Sequence, residues 1–302
     1  MPKDIFKISA QEEKQKEVHL HESKSVNIDG IETVCLSLGP YRNLTTLTAS
    51  ILFLHPDCQV LNHGGSRILV DERLNFLIDY SDAKFIAFEK YAIHISKTGK
   101  KGHYGGSITL SHAFKPQHPM KEVFQSSGIG LVKKNIKCLF WKESLITANC
   151  IRDNNVDLGA IFKRNKQLKF LMPIRNPLDC AASNVKTGHA SLFRNISDNN
   201  TEAVLEAILD ELLWFETLRN RYPERFFLFF SYEFDGALLH KLAGFLRIHP
   251  HNDWCDRSLT TFKIKSQYTH SNKIISFYGR MISSKFVDYP DFAARLLYFT
   301  ET

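Results

Sequence analysis

Five short runs in this chain are almost wholly apolar: "ETVCLSL" (32–38), "CQVLN" (58–62), "IKCLFW" (136–141), "LKFLMPI" (168–174) and "RFFLFFS" (225–231). A strand with one face in water alternates apolar and polar residues. Runs this apolar require cover on both faces, as in a parallel sheet. Between them lie segments with helical spacing, notably "TEAVLEAILDELLWFETLRNRY" (201–222) and "GALLHKLAGFLRI" (236–248). The alternation predicts an α/β fold of three layers, α/β/α, with a central parallel sheet and ligands beyond the carboxyl ends of its strands. We read 31–302 as a single domain after a polar segment, 1–30; 302 residues at 43% hydrophobic suffice for a full core. The Gly/Lys-rich "SKTGKKGHYGGS" (96–107) is expected to be a loop.

Composition narrows the function classes. No run of about 18 apolar residues occurs, and the N-terminus is charged rather than signal-like, so a soluble, cytoplasmic chain without a membrane span is expected. The six cysteines are scattered, with no C-x-x-C pair. Reduced thiols are therefore expected, and no zinc site. A net charge of +7 without a long basic block favours anionic partners over nucleic acid.

Two strand-to-helix turns carry the candidate chemistry. The first strand breaks at Gly39-Pro40, and a helix is expected to begin near Asn43, with Arg42 overhanging the turn and Thr45 and Thr46 offering hydroxyls beside free N–H groups. That is the layout of a phosphate cradle, although an ordinary helix cap uses the same residues and G-x-x-x-x-G-K-[ST] is absent. In "LKFLMPIRNPLDCAASNVKTGHA", a strand runs into Arg175, with Asn176 as N-cap and Pro177 at the first helical position. Helical side chains lean toward the N-terminus, so Ser183 can point back toward an anion held by Arg175.

These residues resemble the sulfotransferases that use 3′-phosphoadenosine 5′-phosphosulfate, most nearly a bacterial member. The family's [KR]-S-G-T-T turn, which binds the 5′-phosphosulfate, is matched by Arg42, Asn43, Leu44, Thr45 and Thr46. Its R-[ND]-P-x-D-x-x-x-S element, which binds the 3′-phosphate, is matched by Arg175, Asn176, Pro177, Asp179 and Ser183. "HPDCQVLNHGGSRI" is similar to the H-P-D-I segment of protein-tyrosine sulfotransferases. "FSYEFDGALLHKLAGFLRI" resembles the family's Y-E-x-L segment, with Tyr232 near the adenine. The resemblance spans about residues 32 to 248 and implies a P-loop NTPase-like sulfotransferase fold. It departs at Leu44, where the family has glycine, so a Cβ meets any phosphate that approaches the backbone closely. In the region of the family's C-terminal phosphate loop, "TTFKIKSQYTHSNK" (260–273), Lys265 is the candidate.

Sulfuryl transfer requires a base, stabilisation of the leaving oxygen and in-line placement of the reactants. Arg42 suits the leaving oxygen, since guanidinium stays charged and forks across oxyanions. Two bases remain open. One is His63, which follows the second strand where the resembled tyrosine sulfotransferases place a glutamate; imidazole as a class accepts protons near neutrality. The other is Glu143 in "FWKES" (140–144), with Lys142 contacting the sulfuryl group. Acceptor selectivity is expected from loops in 84–118, with His103, Tyr104 and His112 as contacts and no metal, given no compact ligand spacing. The implied donor is 3′-phosphoadenosine 5′-phosphosulfate, leaving as adenosine 3′,5′-bisphosphate. The implied acceptor is a hydroxyl or amine on a small molecule, glycan or peptide. A kinase-like phosphotransferase and a non-catalytic anion-binding protein on the same fold are the rival readings.

Overall fold

The computed structural model describes residues 9–100, 104–194, 196, 198–264 and 268–300. Among these, six strands form one sheet: β1 Thr33–Ser37, β2 Cys58–Asn62, β3 Gly106–Ser107, β4 Cys138–Lys142, β5 Leu168–Ile174 and β6 Phe226–Phe230. Their order is β3-β2-β4-β1-β5-β6, parallel throughout except for β3, which runs antiparallel to β2. Every residue of β1, β2, β4 and β5 is buried, as their unbroken apolar runs require.

Side chains alternate across the sheet and feed two cores. Leu36, Trp141 and Phe170 face one layer, built from the helices Asp82–Thr98, Leu145–Asp153, Leu158–Arg164, Pro177–Lys186, Thr201–Arg221, Asn272–Lys285 and Pro290–Leu297. Cys35, Phe140 and Leu171 face the other, built from Thr45–Phe53, Pro119–Ser126, Gly236–Leu246 and Asn252–Thr261. This is the expected α/β/α arrangement. β1 lies between β4 and β5, and its helix leaves to one face while theirs leave to the other. The departing chains open a crevice at the carboxyl ends of the strands.

Two expectations need correction. The region 84–118 is not loop throughout: Asp82–Thr98 is a helix, capped by the Ser81 hydroxyl on the Lys84 N–H. Phe85, Phe88, Tyr91 and Ile95 recur at helical spacing and are buried against the sheet. The loop over the strand ends is thus shorter than expected. Within 96–107, Gly106–Ser107 forms β3, a strand of two residues and too short for any periodicity to announce. Gly105, at φ +86°, brings its Cα close to Gly64; a Cβ there would meet the Gly64 Cα at 3.0 Å. Among the described residues, no helix is long and apolar enough to cross a membrane.

Candidate functional site

After β1 the backbone reverses sharply. Gly39 has φ +97°, and a Cβ there would lie 2.8 Å from the Met172 side chain. Arg42 and Leu44 then take left-handed φ values of 62° and 61° without being glycine, a conformation that costs about 1–2 kcal/mol per residue. Leu44 is the N-cap of Thr45–Phe53 and supplies no side-chain cap. The first N–H groups of that helix consequently point into the crevice with the positive end of its dipole.

The strained turn is held from the neighbouring strand. Buried Asn43 donates from Nδ2 to the Pro173 carbonyl at 2.5 Å, and its Oδ1 accepts the Arg175 N–H at 3.0 Å. The Tyr41 carbonyl accepts from Asn184 Nδ2 at 2.8 Å and from the Cys180 thiol at 3.2 Å. These bonds join the two turns that the sequence singled out.

Their functional side chains meet in a specific pattern. Arg42 Nε donates to the Ser183 hydroxyl at 2.9 Å. Arg175 is held by Asp179, Nη2 to Oδ2 at 3.0 Å, while its buried Nε has no partner among the described residues. The other Asp179 oxygen lies 2.9 Å from His270 Nε2. Ser183 thus contacts Arg42 rather than Arg175, and Arg175 retains a buried donor.

On the opposite wall, β2 and β4 end side by side. His63, also left-handed at φ 62°, presents Nε2 to Lys142 Nζ at 3.4 Å and Nδ1 to Glu143 Oε1 at 3.8 Å. The Glu143 side chain is only 3% exposed, and its Oε2 accepts the Gly65 N–H at 2.8 Å. A Cβ at Gly65 would press on the Glu143 side chain at 2.9 Å, so a larger residue there would displace that carboxylate. His63, by contrast, is 30% exposed. Trp141 Nε1 donates to its carbonyl at 2.8 Å, fixing the backbone. Burial pushes Lys142 down to about 8, with Arg42 in the same direction and Glu143 opposing.

A cleft of about 350 Å³ joins these walls, lined by Tyr41, Arg42, Leu44, Thr45, Thr46, His63, Lys142 and Arg175, and also by His112, His118, His189 and Lys263. Burial lowers the pKa of His112, His118 and His189; for His112 and His189, Arg42 and Lys142 push the same way. Arg42, Arg175, Lys142 and Lys263 give the cleft a cationic lining. An oxyanion is the ligand such a surface takes.

Not every expected residue reaches it. Tyr104 lies against Arg67, 5.0 Å from guanidinium carbon to ring centroid, and interacts with Glu12. Tyr232 donates its hydroxyl to the Arg295 carbonyl at 3.0 Å and packs 4.3 Å from the Tyr298 ring, beyond the cleft lining. His103 and Lys265 fall outside the described residues. Sequence reasoning passed over His118, His189 and Lys263. His118 was readable as a helix cap before Pro119, and its Nδ1 does accept the Met120 N–H. His189 lies beyond the matched motif, after the helix Pro177–Lys186 has ended, where no local pattern points to the cleft.

No family model matches the chain, and no curated protein matches it in sequence. Two solved structures are similar over most of its length. Mouse sulfotransferase SULT7A1 complexed with PAP has 12% identity and a TM-score of 0.45, with 94% of each chain covered. Sulfotransferase STF9 from Mycobacterium avium has 13% identity and a TM-score of 0.44, covering 92% of this chain and 81% of its own. Likenesses this remote leave the function to be read from the site itself.

Proposed function

We propose that this protein transfers a sulfuryl group from 3′-phosphoadenosine 5′-phosphosulfate to a hydroxyl or amine. The observation that carries the reading is the helix start after β1, uncapped and open beside Arg42 and Lys142 in one cleft. The residues present fit the donor: free N–H groups and the Thr45 and Thr46 hydroxyls suit the 5′-phosphate, and the Arg175 guanidinium on the cleft wall, with Ser183, suits the 3′-phosphate.

His63 is the better base of the two. The Glu143 carboxylate is buried and already accepts an N–H, whereas His63 is reachable from the cleft. Glu143, with Oε1 3.8 Å from His63 Nδ1, would orient the imidazole once that gap closes to hydrogen-bond length. The acceptor oxygen or nitrogen attacks sulfur, and its proton passes to His63 Nε2. The bond from sulfur to the bridging oxygen breaks, and Arg42 and Lys142 stabilise the charge left on that oxygen. His112 is the acceptor contact that the cleft favours.

Leu44 favours a second reading, a non-catalytic nucleotide-binding protein, because it lines the cleft and carries a Cβ where a phosphate approaching the backbone is best served by glycine. Labelled sulfuryl transfer to an acceptor panel separates the two. His63→Ala should lower turnover by about 10²-fold or more with donor affinity nearly constant. Glu143→Gln should cost less. Lys142 loses its charge as pH rises through about 8, so wild-type turnover should fall above that pH. Full activity in His63→Ala with none in Glu143→Gln would move the base to Glu143, and donor binding without transfer to any acceptor would favour the second reading.

A further inference from the structure

Outside the cleft lining, the helix Ala10–Ser23 lies along the helix Asp82–Thr98, and three potential metal ligands converge between them. His19 Nδ1 is 3.1 Å from His94 Nε2, His94 Nε2 is 3.2 Å from Glu22 Oε2, and His19 Nδ1 is 3.9 Å from the same oxygen. We propose that His19, Glu22 and His94 bind a divalent first-row transition-metal ion, zinc(II) fitting best, which staples the N-terminal helix to the helix Asp82–Thr98.

The spacing is that of a coordination polyhedron. With bonds near 2.1 Å, ligand atoms stand about 3.4 Å apart around a tetrahedral ion and about 3.0 Å apart around an octahedral one. The two shorter separations fall between these values. The Glu22 side chain, 53% exposed, is free to shorten the third. Both imidazoles are largely buried, at 9% and 13% exposure.

Hydrogen bonding satisfies this trio poorly. If His19 Nδ1 donates to His94 Nε2, the His94 lone pair is used and its nitrogen faces the Glu22 carboxylate with no proton between them. If His94 Nε2 donates, one N–H must serve two acceptors. A cation satisfies all three atoms together. His19 and Glu22 are three apart on one helix, hence on one face, and His94 comes from the facing helix.

Chemistry and surroundings suit a staple. Two imidazoles and one carboxylate are a zinc donor set that leaves a position for solvent. Glu22 and His94 both line a neighbouring cavity of about 820 Å³, which gives water access to that position. Lys97 acts electrostatically on His94, and Lys100 and Arg67 act on His19. They oppose a cation, and the Glu22 carboxylate offsets part of that repulsion. The helix has other fastenings to neighbouring structure, since buried Lys16 meets Asp71 at 3.2 Å and Arg73 meets Glu17 at 2.5 Å. The ion would add a further anchor at its C-terminal end.

Calorimetric titration of chelator-stripped full-length protein with zinc should give one saturable equivalent per chain. His19→Ala and His94→Ala should each weaken it by at least about tenfold. Zinc should raise the wild-type Tm but not that of either variant. Because histidine truncation can disturb helix packing, Glu22→Gln at its half-exposed position is the companion variant, expected to weaken zinc with an unchanged metal-free Tm. A His63→Ala/His112→Ala double variant should keep the equivalent. No saturable equivalent, or an equivalent lost in the cleft double variant and kept without His19 and His94, would overturn the proposal.

Discussion

The turn after β1 and the turn after β5 face the same cleft and are built in opposite ways. The first starts its helix without a cap, with Arg42 and Leu44 in left-handed conformations, so its backbone N–H groups remain open. In the second, the Asn176 side chain accepts from the Leu178 N–H and Pro177 sits at the helix start, so backbone donors are already used and side chains do the reaching. An anion at the first turn is met chiefly by backbone, and at the second by Arg175 and Ser183. The strain of the first persists because Asn43 ties it to the second.

That contrast can be broken most severely at Arg42, the side chain that leans from the first turn onto Ser183 of the second. Arg42→Ala should lower turnover by about 10²- to 10³-fold, the scale of losing a preorganised donor to a developing anion. Steady-state assays at saturating donor check it, and an unchanged rate would place the leaving oxygen elsewhere. Arg175→Ala should weaken adenosine 3′,5′-bisphosphate by about 1.5–3 kcal/mol and AMP hardly at all. Equal calorimetric losses for the two ligands would mean that the second turn shapes the site without reading a phosphate.

Smaller effects sharpen the comparison. Asn43→Ala leaves the Arg175 N–H and the Pro173 carbonyl without this partner and should cost about 1–3 kcal/mol in chemical denaturation, while also weakening donor binding. Loss of stability with intact donor binding would show the turns to be independent. Leu44→Gly relieves about 1 kcal/mol of left-handed strain and forfeits a partly buried side chain, so stability should stay within about 1 kcal/mol of wild type. Donor affinity should rise. A fall would mean that Leu44 packs the cradle rather than blunting it.

The strands were legible because burial on both faces writes itself into composition: the run 168–174 coincides with β5, and 58–62 with β2. The second turn was legible for a related reason, since Asn-Pro at a helix start is local chemistry. The helix Asp82–Thr98 was less legible, because the polar residues around Phe85, Phe88, Tyr91 and Ile95, His94 among them, and the Gly/Lys-rich run that follows obscure their spacing. Ser183 lay on the expected face, but which arginine it would meet depended on a bond spanning 141 residues.

The sequence by itself determined the layers, the parallel direction of the five longer strands and the residue types at their carboxyl ends, because strand burial, helical spacing and caps act over a few residues. Tertiary structure alone decided the partners. The order β3-β2-β4-β1-β5-β6 sets β1 between β4 and β5, which lets Asn43 reach Arg175, and puts β2 beside β4, which brings His63 to Lys142 and Glu143. The meeting of His19 with His94, 75 residues apart, is of the same kind. Such contacts depend on how whole elements pack, and no local periodicity carries that order.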